Sequence, residues 1–233
     1  MHYNNPFIQN CLEGPYSIFK SLSYKEKEIL ISNHSYSIYR KGEMVTRDGE
    51  KPSGLISLAS GKAKIFKDGI GGREQILRLV RPQGLIGCRA LFADGHYCAS
   101  AVALEDSAIC IFDKTTLWEL IKNNTDLSLR FMKVLANELG FSVNRTVSLT
   151  QKHIRGRLAE SLLVLRDTYG FEDDGSTLNI VLSREDLANL SNMTTSNAIR
   201  TLSHLASEEI IRLHGKKIAI IDGGRLENVS ELG

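Results

Sequence analysis

Apolar and polar positions along this chain keep three different rhythms, and each rhythm predicts a different kind of element. A short amphipathic helix over 24–32 opens at Ser23, whose pairing with Glu26 three residues on is the capping-box pattern. The period then becomes two. Segments 35–39, 54–58, 62–67, 75–80 and 107–112 alternate like half-buried strands, punctuated by glycines that include Gly42, Gly49, Gly61, Gly84 and Gly95. Many short strands separated by glycine turns predict a small antiparallel barrel or roll. Asp113 then begins a helix through Leu117, Trp118 and Ile121 that ends near Asn123-Asn124.

From 126 to 151 the pattern is helical and free of proline. Met132, Leu135, Leu139, Ser142, Thr146, Leu149 and His153 recur at alternating spacings of three and four, the seam of a coiled coil. Such a helix is roughly 39 Å long at 1.5 Å per residue, too long to hide one narrow seam against a small roll, so the pattern predicts dimerisation. The hydroxyls of Ser142 and Thr146 interrupt the seam, where a polar side chain either specifies register or faces a ligand. A boundary falls at 152–156, before a helix over 157–169, an acidic loop over 171–177 and a strand over 178–182.

The next elements are the most telling. Ser183 followed by Asp186 caps a short helix in which Leu187 and Leu190 share a face. After a tight break at Ser191-Asn192, Thr194 caps a second helix whose Ala198, Leu202 and Leu205 point inward, leaving Thr195, Ser196 and Arg200 outside. Short polar residues in the first turn with an arginine one turn later suit a helix that approaches base edges in a major groove. Segments 211–213 and 218–221 then flank His214-Gly215-Lys216-Lys217, a hairpin with a basic tip suited to a phosphate backbone. Two helices and a hairpin in this order read as a winged helix-turn-helix.

Composition changes this picture only at the margins. At 233 residues the chain is long for one core and comfortable for two domains. The net charge of +2 divides as +4 over 1–150 and −2 over 151–233, so the half that carries the helix-turn-helix is not basic overall. Local placement has to supply the positive face, with Arg155, Arg184, Arg200, Arg212, His214, Lys216 and Lys217 on one side and Glu172-Asp173-Asp174 in a distant loop. Cys11, Cys88, Cys98 and Cys110 have neither zinc spacing nor the look of a disulfide framework. No 18-residue apolar run exists and the opening residues lack the regions of a signal peptide, so a cytoplasmic protein without a membrane span is expected. His2, His34, His96, His153, His204 and His214 show no metal spacing. With no nucleophile–base–orienter set in the sequence, no enzyme is expected.

A glycine-punctuated roll, a long helix and a winged helix-turn-helix in that order resemble the Crp-Fnr superfamily of bacterial transcription regulators across almost the whole chain. The motifs that carry the resemblance are Lys41-Gly42-Glu43, Ala59-Ser60-Gly61-Lys62-Ala63, Gly84 with Gly87, Gly156-Arg157-Leu158-Ala159, and Leu182-Ser183-Arg184-Glu185-Asp186-Leu187-Ala188. The resemblance implies an α+β fold: an N-terminal double-stranded β-roll of the cyclic-nucleotide-binding kind over 1–124, a dimerisation helix over 125–152, and a C-terminal winged-helix DNA-binding domain over 153–233. It also implies a homodimer that places two recognition helices in successive major grooves of a near-palindromic operator in double-stranded DNA, with RNA polymerase as a further partner in activation. Thr194, Thr195, Ser196, Asn197 and Arg200 match the family's recognition-helix contacts, and Arg184, His214 and Lys216 its phosphate contacts. The cyclic-AMP-responsive members carry an arginine and a glutamate where this chain has Thr195 and Ser196, which implies a different operator.

The effector pocket departs further. The family's cassette sets a glutamate on the ribose hydroxyl and an arginine on the cyclic phosphate, yet alignment on Gly87 puts Cys88 at the glutamate and Cys98, or Ala99 with one inserted residue, at the arginine. Neither replaces a bidentate guanidinium. Cyclic AMP is therefore not expected to bind in the usual manner. Gly87, Cys88, Arg89, Ala90, Cys98, Ala99 and Ser142 are the candidate effector residues, with Arg89 the nearby cation; the effector itself is open and no cofactor is assigned. A haem or small-molecule sensor with a non-DNA output is the competing reading, through Cys88, His96 or Cys98, and a Cys88–Cys98 redox pair is the other open chemistry. An iron-sulfur cluster needs converging cysteines, and the N-terminal region offers only Cys11.

Overall fold

The computed structural model describes residues 5–93 and 95–232, and the chain divides into two compact units. One comprises the residues up to Lys67 together with Leu77–Gly140; the other comprises Asp68–Ile76 together with Phe141 onward. Residues 1–4, which include His2, lie outside the described residues. Among the described residues no helix is long and apolar enough to cross a membrane.

The N-terminal unit begins with helices α1 (Pro6–Glu13) and α2 (Tyr24–Ser32) and continues as a roll of two four-stranded antiparallel sheets. The strands are β1 (His34–Tyr39), β2 (Met44–Thr46), β3 (Gly54–Ser60), β4 (Ala63–Asp68), β5 (Glu74–Val80), β6 (Leu85–Ile86), β7 (Ser100–Ala103) and β8 (Ser107–Asp113). One sheet runs β1-β8-β3-β6 and the other β2-β7-β4-β5. Alternation along β3 and β8 decides which core each residue enters. Leu55, Ala59, Cys110 and Phe112 face α1 and α2, whereas Ile56, Leu58 and Ile109 face the interior of the roll. Ser23 caps α2 with both hydrogen bonds of the capping box. Gly61, at φ 85°, turns β3 into β4 where a Cβ would fall 2.2 Å from Ser107 Oγ, so the turn requires glycine.

The roll is larger than the periodicity predicts, because β2, β6 and β7 span only two to four residues and show no readable alternation. Two helices also escape the pattern: α1, capped by Asn5 with Pro6 in its first turn, and α3 (Cys88–Phe92) between β6 and β7. Helix α4 (Lys114–Asn123) starts at Asp113, whose carboxylate accepts from Thr116 N–H at 2.8 Å and is held below its usual range by the backbone N–H groups it caps.

Helix α5 (Thr125–Gln151) is continuous, and Leu127 and Phe131 on it are buried in the N-terminal core. Leu135, placed in the predicted seam, packs against that same core. The apolar stripe left exposed runs instead through Leu129, Met132, Ala136, Leu139, Val143 and Val147.

The C-terminal unit contains α6 (Ile154–Tyr169), α7 (Arg184–Leu190), α8 (Thr195–Ser207), the hairpin β9 (Ile211–His214) and β10 (Lys217–Ile220), and α9 (Gly223–Leu232). Leu158, Leu162, Leu187, Ala198, Leu202 and Leu205 are buried in it. Helix α6 starts at Ile154 rather than 157, because His153 is extended and Arg155 and Gly156 already lie in the first turn. The strand expected over 178–182 does not form. Leu178, Ile180 and Leu182 are buried alternately as expected, but the segment makes only the bridge of Leu178 to Phe171, and Ile180 N–H turns back onto the Leu178 carbonyl at 2.7 Å.

Candidate functional site

Helix α8 owes its start to Thr194, whose side chain accepts from Asn197 N–H at 3.2 Å. The preceding turn passes through Asn192 at φ 49°, a left-handed conformation that asparagine tolerates better than most residues. With Ala198, Leu202 and Leu205 buried, the opposite face carries Thr195, Ser196, Ile199 and Arg200 in the open; Thr194 is also exposed and Asn197 half-buried. Arg200 makes no ion pair among the described residues. Helix α7 begins at Ser183, whose side chain accepts from Asp186 N–H at 2.9 Å and donates to its carboxylate at 2.6 Å.

The hairpin turns on Gly215 and Lys216 alone, since His214 and Lys217 pair across the two strands. His214 and Lys216 are exposed. Arg184 is half-buried: its Nη2 donates to the Gly215 carbonyl at 2.7 Å, so this residue ties α7 to the tip of the hairpin, while its Nη1 is buried without a partner. Two expectations about the positive face need correction. The acidic loop is not distant, because Lys217 Nζ meets the Glu172 carboxylate at 2.8 Å. Arg155 is engaged as well, in a forked pair with Glu208 at 2.7 and 2.5 Å. Arg200, Arg212, His214 and Lys216 remain exposed, with Arg184 half-buried behind the hairpin tip.

In the N-terminal unit, Gly87 caps α3 at φ 73°, and a Cβ there would fall 2.2 Å from the Tyr97 ring. Cys88, Ala90 and Ala99 are buried, whereas Arg89 and Cys98 are exposed. Asp94, inside the same segment, lies outside the described residues. Burial, reinforced by the charge of Glu138, pushes the Cys88 thiol up to about 12, and burial does the same to the Tyr97 hydroxyl. Two charged residues here escaped the sequence reading. Arg78 on β5 and Glu138 on α5 form an ion pair at 2.7 Å without hydrogen-bond alignment, and Arg78 Nη2 also donates to the Leu85 carbonyl at 2.6 Å. Ser142 is exposed on α5, its carbonyl accepting from Thr146 Oγ1 at 2.9 Å. All four cysteines are free thiols, and no metal-holding group of three or more His, Cys, Asp or Glu occurs among the described residues.

Comparison with known proteins agrees with this layout. Residues 37–124 match the cyclic nucleotide-binding domain family and residues 156–229 the Crp-like helix-turn-helix domain family. The CRP-like cAMP-activated global transcriptional regulator of Mycobacterium tuberculosis is 28% identical over 81% of this chain and 84% of its own length. The anaerobic regulatory protein of Bacillus subtilis is 28% identical over 85% of this chain and 79% of its own. Among solved structures, FixK2 from Bradyrhizobium japonicum superposes with a TM-score of 0.76 over 84% of this chain and 96% of its own, at 21% identity, a likeness of fold. With a nucleotide-binding-like roll, a long helix and a winged helix-turn-helix all in place, the chain belongs to the Crp-Fnr family of transcription regulators.

Proposed function

We propose that the protein is a homodimeric, sequence-specific DNA-binding regulator, with residues 1–124 as effector domain, 125–152 as dimerisation helix and 153–233 as DNA-binding domain. The observation that carries this reading is the two-sidedness of α8, which buries Ala198, Leu202 and Leu205 and leaves Thr195, Ser196 and Arg200 open. Arg200 is the group for a guanine edge, and His214, Lys216 and Arg184 serve the phosphates. The exposed stripe from Leu129 to Val147 is the surface for a second copy, whose α8 would read the other half of a near-palindromic operator. Contact with RNA polymerase belongs to the same proposal.

The roll does not take cyclic AMP in the usual manner on this reading. A thiol at Cys88 replaces an acceptor for the ribose hydroxyl, and Cys98 and Ala99 offer no cation to the phosphate. Arg78 is already committed to Glu138 and the Leu85 carbonyl. The relatives named above differ in what their names say they respond to, so they lend no single effector to this chain. Recovery of genomic DNA bound to the purified protein, followed by motif discovery, tests the reading: a shared inverted repeat is expected, and random recovery would overturn it.

A further inference from the structure

Within the unit that comprises Asp68–Ile76 and Phe141 onward, two guanidinium groups and an amide gather around the end of α7. Arg73 Nη2 donates to the Met193 carbonyl at 2.6 Å, Gln75 Nε2 to the Asn189 carbonyl at 2.7 Å, and Arg145 Nη2 to the Leu190 carbonyl. All three acceptors lie within 189–193. Arg157 joins them from α6, donating from Nη1 to the Leu149 carbonyl at 3.1 Å, one helical turn beyond Arg145 on α5.

These contacts do not exhaust the donors. Arg145 is 8% exposed and its Nη1 is buried without a partner, as is Nε of Arg157. Both groups are pulled below the ordinary arginine value. For Arg145 burial is the main cause, with the charge of Arg157 adding to it and Glu160 opposing; for Arg157 it is burial and then the charge of Arg73. The nearby carboxylate is Glu160, which accepts from Ser148 Oγ and pairs with Lys152 at 3.4 Å. The charge of Glu160 is thus divided between Arg145 and the Lys152 ammonium. The carbonyls at the C-terminal end of α7 offset part of the positive charge, yet a buried cation with an idle donor is costly unless an anion completes it.

We propose that Arg73, Arg145 and Arg157 form a binding site for a phosphoryl anion, a free phosphate or a diphosphate-bearing small molecule, with Arg145 Nη1 and Arg157 Nε as its inner donors. Guanidinium forks match the tetrahedral oxygens of that class. The exposure gradient gives a way in, from exposed Arg73 through half-buried Arg157 to buried Arg145. The site is separate from the segment around Gly87 and from the outer face of α8, and it does not require that α8 read DNA. An occupant would bear on the 189–193 turn that leads into α8.

Calorimetric titration and thermal melting of the full chain with pyrophosphate, against sodium chloride at matched ionic strength, test the proposal. Saturable binding at one site per chain and a raised Tm are expected, with affinity falling about tenfold or more in Arg73→Gln and Arg145→Gln as charge-assisted hydrogen bonds are lost. Lys122→Ala, a change at an exposed residue on α4, should leave it unchanged. Arg73→Gln, a change at an exposed residue, keeps the test valid should Arg145→Gln unfold. A response equal to chloride, or one retained in both variants, overturns the proposal. If the variants lose duplex DNA affinity while pyrophosphate never binds, the arginines serve backbone phosphate and the free-anion site is refuted.

Discussion

Ser191 Oγ donates to Ser161 Oγ at 2.9 Å, and neither residue has any exposed surface. Ser161 passes the bond on to the Arg157 carbonyl, also at 2.9 Å. This relay fixes the turn between α7 and α8 to α6 at a point where water cannot substitute. Ser161→Ala should therefore cost about 1–3 kcal/mol by stranding the Ser191 hydroxyl. Adding Ser191→Ala should cost less than a second such loss. Urea denaturation of both single variants and the double variant checks this, and strictly additive losses would show that the relay contributes nothing.

The exposed stripe on α5 makes a sharper dimer test than the predicted seam, because Leu135 is occupied within its own subunit. Met132 and Leu139 are 57% and 67% exposed, so changing both to Asp should spare the monomer's core while placing like charges where a second helix packs. The doubly changed protein should sediment as a folded monomer with weakened DNA binding. An unchanged sedimentation profile would count against the stripe as the interface.

Arg200→Ala should relax discrimination at one base pair per half-site, at about 1–3 kcal/mol for a lost bidentate contact. Lys216→Ala should weaken all sequences alike and lower the salt slope by about one. Binding measured on operator variants over a range of salt separates the two. Equal losses on every sequence for both would remove α8 from base reading.

Calorimetry with cyclic AMP should show no binding at micromolar concentrations, in the unaltered protein or in Arg89→Ala. Arg78→Ala distinguishes the remaining route, since Arg78 is the other guanidinium near α3 and is already paired with Glu138. Micromolar binding abolished by either change would make that arginine the phosphate ligand and reverse the reading of the pocket.

Cys88 supplies a pH test. Its thiol rises from an ordinary 9.0 to about 12 through burial and the charge of Glu138, so the folded state holds this proton more tightly than the unfolded one. The resulting stability is intact below pH 9 and is lost as pH climbs toward 12. Between those limits the urea midpoint of the unaltered protein should fall more steeply than that of Cys88→Ala. Native alkylation near pH 8 should mark exposed Cys98 before Cys88, Cys11 or Cys110.

What the sequence discloses follows from how far its signals reach. The inward residues of α8 repeat every three or four positions and the cap at Thr194 is one residue wide, so both are legible without a structure. Strands β2 and β6 are too short to show a period, although Asn5 before Pro6 was a usable signal for α1. The Arg78–Glu138 pair, the Lys217–Glu172 pair and the arginines around 189–193 join distant segments, and no local pattern encodes such meetings. The seam on α5 was legible only in part for a related reason: Met132 and Leu139 are exposed as it requires, but spacing cannot show that Leu135 already packs against the N-terminal core.

The division of α8 into a buried and an open face separates two kinds of inheritance. Ala198, Leu202 and Leu205 are buried and bind the helix to its domain, while Thr195, Ser196 and Arg200 lie exposed on its other side. Exchanges on such a surface ordinarily change stability by less than about 0.5 kcal/mol. Those three positions can therefore be rewritten one at a time through intermediates that all stay folded, and on the proposed reading each step would change the sequence that α8 recognises.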